Sequence, residues 1–240
     1  LGGKLPIAAF GQRDSAQLQE KAQVVRARLA DWQQHYPHRL PTQSVALTLG
    51  GVALSASLSE VYGGDGGCVQ FAARTGAVLE GKKKDDQRPR GHIVAGLWAA
   101  HLLACASGLP MTSVQLGLDG QVVLNPLEQQ AAINILQRLL SAYQAAWQRP
   151  LPVACKTGWA YVQAELAAGR SGKPGQDPHE LAEKTFDGDD FNTGERAESA
   201  YLTRAFDSYA ELEAELPHWA EMLYGDLARH AQRGQTEGVQ

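Results

Sequence analysis

The spacing of apolar residues in the first third of the chain predicts one helix followed by three strands. Leu18, Val25, Leu29 and Trp32 recur on one face of a helix. Three short apolar runs follow, and they predict strands at 45–49, 52–58 and 68–74. The glycine pair between the first two runs indicates a β-hairpin, and the GGDGG segment before the third run indicates another turn.

The middle of the chain continues with a second helix and a second hairpin. Residues 92–106 are apolar on nearly every side, which is typical of a helix buried in a core. The Asp119-Gly120 pair is the strongest turn signal in the chain, and it predicts a hairpin between the apolar runs on either side. The order of helix, three strands, helix and strand predicts an α/β fold.

Capping residues mark the expected starts of four helices. Asp14, Asn125, Thr157 and Asp177 each precede a helical pattern, and a proline follows Asn125 and Asp177 directly. We therefore expect an α/β core at 1–150 and a mostly helical extension at 151–240, packed together as one structural domain.

The distribution of charge separates the same two parts. Residues 1–150 hold 14 Lys and Arg against 10 Asp and Glu, whereas residues 151–240 hold 8 against 16. A polyanion such as DNA would be tolerated by the core and repelled by the extension. If nucleic acid contacts this chain, we expect it to contact the core.

Composition indicates a globular protein of a reducing compartment. Hydrophobic residues make up 44% of the 240 residues, and no apolar run reaches the roughly 18 residues of a membrane helix. Cys68, Cys105 and Cys155 are widely spaced, so we expect reduced, mostly buried thiols of a cytosolic protein and no metal cluster. Because the chain opens at Leu1 rather than Met and without a signal peptide, we expect a fragment of a longer polypeptide.

The third predicted strand carries a motif that resembles part of a nuclease site. Residues 71–76 read FAARTG. The matching strand of the Mg²⁺-dependent PD-(D/E)XK nucleases carries an acid, any residue and a lysine, often followed by Thr-Gly. Together with the order of elements, this resemblance implies a PD-(D/E)XK nuclease-like core with an added helical C-terminal part.

Longer segments resemble the C-terminal domain of RecC, the gamma subunit of exodeoxyribonuclease V. The segments are TLGGVALSASLSEVY, FAARTG, LWAAHLLACASG and EKTFDGDDFNTGERAESAYLTRAFD. The resemblance implies a nuclease-like domain that no longer cuts, within the RecBCD helicase–nuclease of the bacterial cytoplasm. It implies RecB-like and RecD-like partners, double-stranded DNA ends and their separated strands as ligands, and neither a cofactor nor a membrane.

Four positions at which active relatives carry functional groups hold other residues here. Ser59 and Ala72 occupy the positions of the two metal-binding acids, and Arg74 occupies the position of the lysine. Gly96 occupies a helix position at which active relatives carry Gln. Neutral groups cannot replace the carboxylates that hold Mg²⁺, and a guanidinium does not act as a base. The sequence predicts an inactive site without metal.

Three other acids offer an alternative, an active nuclease of the same fold. Glu60 follows Ser59 directly and would point to the opposite face of a strand, Asp65 lies in the glycine-rich turn, and Glu80 follows the third strand. None of the three has a partner acid at a useful spacing.

The densest basic cluster lies in the polar loop after the third strand. We interpret it as a contact to the DNA backbone, and its residues are Lys82, Lys83, Lys84, Arg88 and Arg90. Asp85 and Asp86 dilute the charge, so a solvated loop is the alternative. We predict a non-catalytic, DNA-guiding domain that acts in DNA end unwinding and degradation and in double-strand break repair. A protein-interaction module that does not contact DNA is the second alternative.

The remaining candidates favour structural roles. We expect His92, His101 and Trp98 to belong to the buried helix and its surroundings. The acidic run at 187–190 lacks the further ligands of a calcium loop and predicts a solvated turn or a protein contact. Helical spacing predicts a packing role for the C-terminal aromatic residues Tyr201, Phe206, Tyr209, Trp219 and Tyr224.

Overall fold

The computed structural model describes residues 9–81, 87–171 and 176–234. The helices are α1 (Ala9–Gln33), α2 (Gly91–Ala106), α3 (Gln129–Ala146), α4 (Cys155–Ser171), α5 (Pro178–Asp187), α6 (Glu195–Glu198), α7 (Ala200–Ala205), α8 (Leu216–Ala220) and α9 (Asp226–His230). The strands are β1 (His38–Arg39), β2 (Gln43–Leu49), β3 (Val52–Leu58), β4 (Val61–Gly64), β5 (Gly67–Ala73), β6 (Leu79–Glu80), β7 (Arg88–Pro89), β8 (Thr112–Leu116), β9 (Gln121–Leu124) and β10 (Ala231–Arg233).

A six-stranded mixed sheet lies at the centre of the fold, in the order β1-β4-β5-β8-β9-β10. Strands β5 and β8 are parallel, with Phe71 opposite Val114, and the other neighbours are antiparallel. Parallel pairing needs a crossover connection, which contains α2. The predicted α/β class is confirmed. Strand β10 brings the C-terminal segment into the sheet, and the division of the chain near residue 150 stays a prediction.

Side chains of the central sheet alternate between two hydrophobic cores. On one face Val69, Phe71 and Val114 pack with Val25 of α1. On the opposite face Ala72 packs with the larger core formed by α2, α3, α4 and the C-terminal helices. Strand β5 is therefore covered by helices on both faces, as its nearly continuous apolar sequence requires.

The hairpin of β2 and β3 forms a two-stranded sheet of its own. Its turn contains Gly50 and Gly51, both with positive φ, as predicted for a hairpin. The chain turns at Glu60, which has a φ of +54°, and then enters the central sheet as β4. Three strands were predicted between α1 and α2, whereas the described residues contain β1 to β7 there. The added strands are two to four residues long, too short to show an apolar alternation.

Three of the four predicted helix starts are wrong. Asp14 lies inside α1, Thr157 lies inside α4, and Asn125 precedes α3 by four residues. The Asn125 backbone is engaged elsewhere, because its carbonyl oxygen lies 3.1 Å from His101 Nε2. Asp177 caps α5 as predicted, since its side chain accepts a hydrogen bond from His179 N at 2.8 Å.

Trp98 and His101 of α2 are buried, as predicted for this helix. His101 joins α2 to the sheet, because its Nδ1 lies 3.0 Å from the Ser113 hydroxyl. The Trp98 ring is stacked against His101 and His230, with a centroid distance of 5.8 Å to each. All three cysteines are free thiols.

The C-terminal aromatic residues divide between buried and exposed positions. Tyr209 and Trp219 are buried, and Phe206 and Tyr224 pack against the larger core, as predicted. The prediction is wrong for Tyr201, which is 84% exposed on α7. Helical spacing alone did not distinguish a short surface helix from a packed one. Within the described ranges, none of the helices is both long and apolar enough to cross a membrane.

Candidate nucleic-acid interface

Neutral groups surround the predicted catalytic positions on the α2-facing side of β5. Ser59 is exposed just after β3, and its carbonyl oxygen accepts a 3.5 Å hydrogen bond from Gln70 Nε2. The half-buried Ala72 lies opposite Gln115 of β8, whose Nε2 donates to the Ala72 carbonyl oxygen at 3.2 Å. Gln70 and Ala72 point to the same side of the strand, because side chains two residues apart share a face. The same spacing places Arg74 on this side, just beyond the end of the strand. Amide groups therefore line this side of the sheet.

Gly96 is the fourth predicted position. It lies on an exposed part of α2, and a Cβ added there would meet no atom within 4 Å. The structure therefore brings Ser59 beside β5, where Ala72 and Arg74 lie on the side of the strand that also carries Gln70.

The three alternative acids lie in three different environments. The Glu60 carboxylate pairs with Arg39 and accepts a hydrogen bond from the Tyr62 hydroxyl at 3.3 Å, beside the α1-facing core. Asp65 is exposed in the turn between β4 and β5. Glu80 is half-buried on β6, and burial raises its pKa, with smaller opposing effects from Trp159 and from nearby arginines. Among the residues that the structure describes, no three His, Cys, Asp or Glu side chains are grouped closely enough to hold a metal ion.

The charges of basic side chains from three elements act on His92 at the start of α2. Burial lowers the pKa of His92, and the charges of Lys156, Arg90 and Arg74 lower it further, against the opposing charge of Glu195. The three cations come from the start of α4, the start of α2 and the end of β5. Arg74, predicted as a catalytic remnant, and Arg90, predicted as a DNA contact, thus act on the same histidine. We call Arg74, Arg90 and Lys156 the basic cluster, in which Lys156 also forms an ion pair with Glu198.

Backbone contacts fix the two arginines of the basic cluster. Arg74 N donates to the Leu116 carbonyl oxygen at 3.1 Å, and its guanidinium lies over Gly76, where a Cβ would be 3.0 Å from Nε. Arg90 N donates to the Val78 carbonyl oxygen at 2.9 Å, and Arg90 Nε donates to the Leu79 carbonyl oxygen at 2.7 Å. Neither guanidinium has an ion pair among the residues described.

The other predicted DNA contacts lie close in sequence to the basic cluster. Arg88 is exposed on β7, opposite Glu80 of β6. Lys82, Lys83 and Lys84 fall in the segment 82–86, outside the described residues. The sequence interval between β6 and β7 therefore contains these three lysines, followed by Asp85, Asp86 and Gln87 before Arg88.

A glycine contact holds the start of α2 against α4. A Cβ at Gly91 would overlap the ring of Trp159, and the indole N–H of Trp159 donates to the Pro89 carbonyl oxygen at 3.1 Å. Only glycine allows this approach. The contact places Lys156, in the first turn of α4, beside the first turn of α2.

The start of α4 is capped by a buried residue that the sequence did not single out. Glu195 accepts hydrogen bonds from Lys156 N at 2.9 Å, from Thr157 N at 2.8 Å and from the Thr157 hydroxyl at 2.9 Å. A pattern within α4 could not reveal a partner 38 residues away. The signal in the sequence was the glutamate at the end of the segment DGDDFNTGE. The sequence analysis interpreted only the acidic run at the start of this segment, as a solvated turn or a protein contact.

The fold and the site define an α/β domain with a six-stranded mixed sheet and a basic cluster beside amide-lined strand positions. The family model described as the RecC C-terminal domain matches residues 1–166, and the chain belongs to this family. This finding confirms the resemblance carried by the sequence segments. A search of curated proteins found no match.

Membership of this family connects the chain with the RecC subunit of exodeoxyribonuclease V. The family belongs to the RecBCD complex, which contains RecB and RecD and acts on DNA in repair and recombination.

Proposed function

We propose that this domain is a non-catalytic, DNA-guiding part of its complex, built on a nuclease-like core. The observation that carries the proposal is the set of residues at the end of β5. Ser59 and Ala72 supply no carboxylate, and the neighbouring side chains of Gln70 and Gln115 are neutral amides. Arg74 adds a permanent positive charge, because a guanidinium is not deprotonated in proteins. A hard dication needs several oxygen ligands with negative charge, which these positions do not offer.

The basic cluster supports contact with the phosphate backbone rather than with bases. Arg74 and Arg90 present guanidinium groups that match the geometry of a phosphate. Lys82, Lys83 and Lys84 add charge in the same part of the sequence. The net negative charge of the extension would repel DNA, so the backbone would be directed along the core.

A cleavage assay tests the non-catalytic part of the proposal. The purified chain is incubated with linear DNA and Mg²⁺ or Mn²⁺, and we expect no cleavage above a metal-free control. Metal-dependent cleavage that is abolished by Glu60→Gln, Asp65→Asn or Glu80→Gln would show that the alternative acids form an active site.

A fork-DNA binding assay tests the DNA-guiding part. We expect the double variant Arg74→Gln and Arg88→Gln to weaken binding by the assembled complex. Its salt dependence should become shallower by about one for each phosphate that is no longer neutralised. The matched control is Arg26→Gln on the exposed face of α1, which should change neither quantity. If affinity and salt slope are the same in the double variant, the domain is a protein-interaction module instead.

A further inference from the structure

Helix α6 of the acidic extension brings two carboxylates to Lys156 at the start of α4. Glu195 accepts a hydrogen bond from the Lys156 backbone N–H at 2.9 Å. Glu198, one turn further along α6, forms an ion pair with the Lys156 ammonium group. One of the three cations of the basic cluster therefore has an anionic partner that belongs to the same chain.

The two carboxylates of α6 differ in how firmly they are held. Glu195 is buried and accepts hydrogen bonds from Lys156 N, Thr157 N and the Thr157 hydroxyl. The Lys156 and Glu198 side chains, by contrast, are 37% and 49% exposed. Ion pairs between exposed groups contribute little to stability, because water screens the attraction. Glu195 therefore anchors α6, whereas Glu198 can leave Lys156 without unfolding the site.

A second contact holds α6 in position on the side of α5. Arg196 Nε lies 3.4 Å from the Asp187 carboxylate at the end of α5. Together with the buried Glu195 cap, this ion pair keeps the short helix in place beside α4. The Glu198 carboxylate is thereby kept near the Lys156 ammonium, and it competes with other anions at a high effective concentration.

A DNA phosphate has two advantages over the Glu198 carboxylate as a partner of the basic cluster. The charges of Arg74, Arg90 and Lys156 all act on His92, so a phosphate near His92 would be attracted by the three cations at once. Its binding would also release counterions from the DNA, whereas a carboxylate of the same chain releases none. DNA can therefore displace Glu198 even though the carboxylate is held in place.

We infer that Glu198 is an internal competitor of DNA, whose carboxylate occupies Lys156 until a backbone phosphate displaces it. This inference rests on the proposed function, because it concerns the control of the same basic cluster. A surface that guides a strand must release each phosphate as the strand moves. A carboxylate that returns to Lys156 would assist this release and would keep the affinity of the surface low.

Binding of fork DNA by the assembled complex tests the inference when it is measured at several salt concentrations. We expect Glu198→Gln to bind about threefold to tenfold more tightly than wild type. Its salt dependence should become steeper by about one, because the freed Lys156 neutralises one more phosphate. Adding Lys156→Gln to this variant should remove the gain, whereas Lys156→Gln in the wild type should have a smaller effect.

Glu180→Gln is the matched control. It removes the same charge from the acidic extension, and it breaks another exposed ion pair, the one with Lys184 within α5. We expect it to change neither the affinity nor the salt dependence. An equal gain in this control, or a gain of Glu198→Gln that persists without Lys156, would overturn the inference, because the effect would then reflect net charge alone.

Unchanged affinity and salt dependence in Glu198→Gln would also overturn the inference. This result is distinguishable from a failure of the proposed function. The double variant Arg74→Gln and Arg88→Gln would still weaken binding if the basic residues contact DNA without competition from Glu198. If that double variant bound fork DNA as wild type does, the proposed function itself would be wrong.

Discussion

Glu195 caps the start of α4 through Thr157: one carboxylate oxygen, Oε2, accepts from the Thr157 backbone N–H at 2.8 Å and from its hydroxyl at 2.9 Å. The other oxygen accepts from Lys156 N at 2.9 Å. The buried carboxylate thus satisfies three donors and faces the positive end of the helix dipole.

Removing this cap should destabilise the protein strongly. Glu195→Ala leaves three donors without a partner in a buried site, and we expect the free energy of unfolding to fall by about 2–4 kcal/mol. Urea denaturation measures the change. The control is Glu198→Ala, which removes only the exposed ion pair with Lys156 and should cost less than about 1 kcal/mol. Similar losses in the two variants would contradict the capping role.

Replacing two glycines of α2 with alanine should change the stability of the protein in opposite directions. Gly91→Ala places a methyl group in the ring of Trp159 and should destabilise the protein by roughly 1–3 kcal/mol. Gly96→Ala meets no atom within 4 Å on an exposed helix position and should stabilise it by about 0.5–1 kcal/mol. Thermal denaturation of both variants gives the comparison. If Gly91→Ala were as stable as wild type, the close packing of α2 on α4 would be wrong.

Asp119 should hold the segment after β5 in place. Its two carboxylate oxygens accept from Val78 N at 2.8 Å and from Leu79 N at 3.1 Å, which joins the β8–β9 turn to the chain that leads to β6. Asp119→Ala should raise the hydrogen-exchange rates of these two amides and lower stability by about 1–3 kcal/mol. Asp65→Ala, in the exposed β4–β5 turn, is the control and should leave both amides protected.

Acid should weaken the fold through His101. Burial lowers the pKa of His101 to about 4, with a smaller lowering from His230 and an opposing effect from the hydrogen bond to the Asn125 backbone. Below the usual pKa of about 6.5 the unfolded chain takes up a proton that the folded protein does not, so stability falls from pH 6.5 to pH 4. The contribution of this one group reaches about 3 kcal/mol.

The measurement is urea denaturation between pH 7 and pH 4 for wild type and His101→Gln. The variant should be less stable at pH 7, and its stability should fall less as the pH decreases. His38→Gln changes an exposed residue of β1 and should follow the wild-type pH profile. A pH profile of His101→Gln parallel to that of wild type would remove His101 as the cause.

Local signals in the sequence identified turns better than helix starts. The Gly50-Gly51 pair, the GGDGG segment and Asp119-Gly120 located the β2–β3, β4–β5 and β8–β9 turns, because tight turns are properties of a few consecutive residues. Asp14 and Thr157 failed as caps because both helices begin before them, so a residue type that favours caps does not by itself locate a helix start. The start of α4 is capped by Glu195, which no local pattern connects to Thr157.

The candidate site was predicted in parts and assembled only by the fold. Ser59, Ala72 and Arg74 could be singled out from the motif, and Arg88 and Arg90 from charge. Hydrogen bonds to Val78 and Leu79 hold Arg90 against the segment after β5, and the Gly91 contact with Trp159 brings α4 and Lys156 to the start of α2. Lys156 was missed because a lone lysine at a helix start carries no pattern of its own.

The parallel pairing of β5 with β8 has a consequence for the order of folding. The β2–β3, β4–β5 and β8–β9 hairpins join neighbouring segments, so each closes a short loop at a small cost in chain entropy. The β5–β8 pairing closes a long loop that contains α2. Closing this loop costs chain entropy before the contacts between the two strands can offset it. Substitutions at the Phe71–Val114 pair should therefore slow folding, whereas substitutions in the outer β2–β3 hairpin should mainly speed unfolding. Pairing of β5, the strand that carries the FAARTG motif, with β8 would then be the folding step that joins the two halves of the sheet.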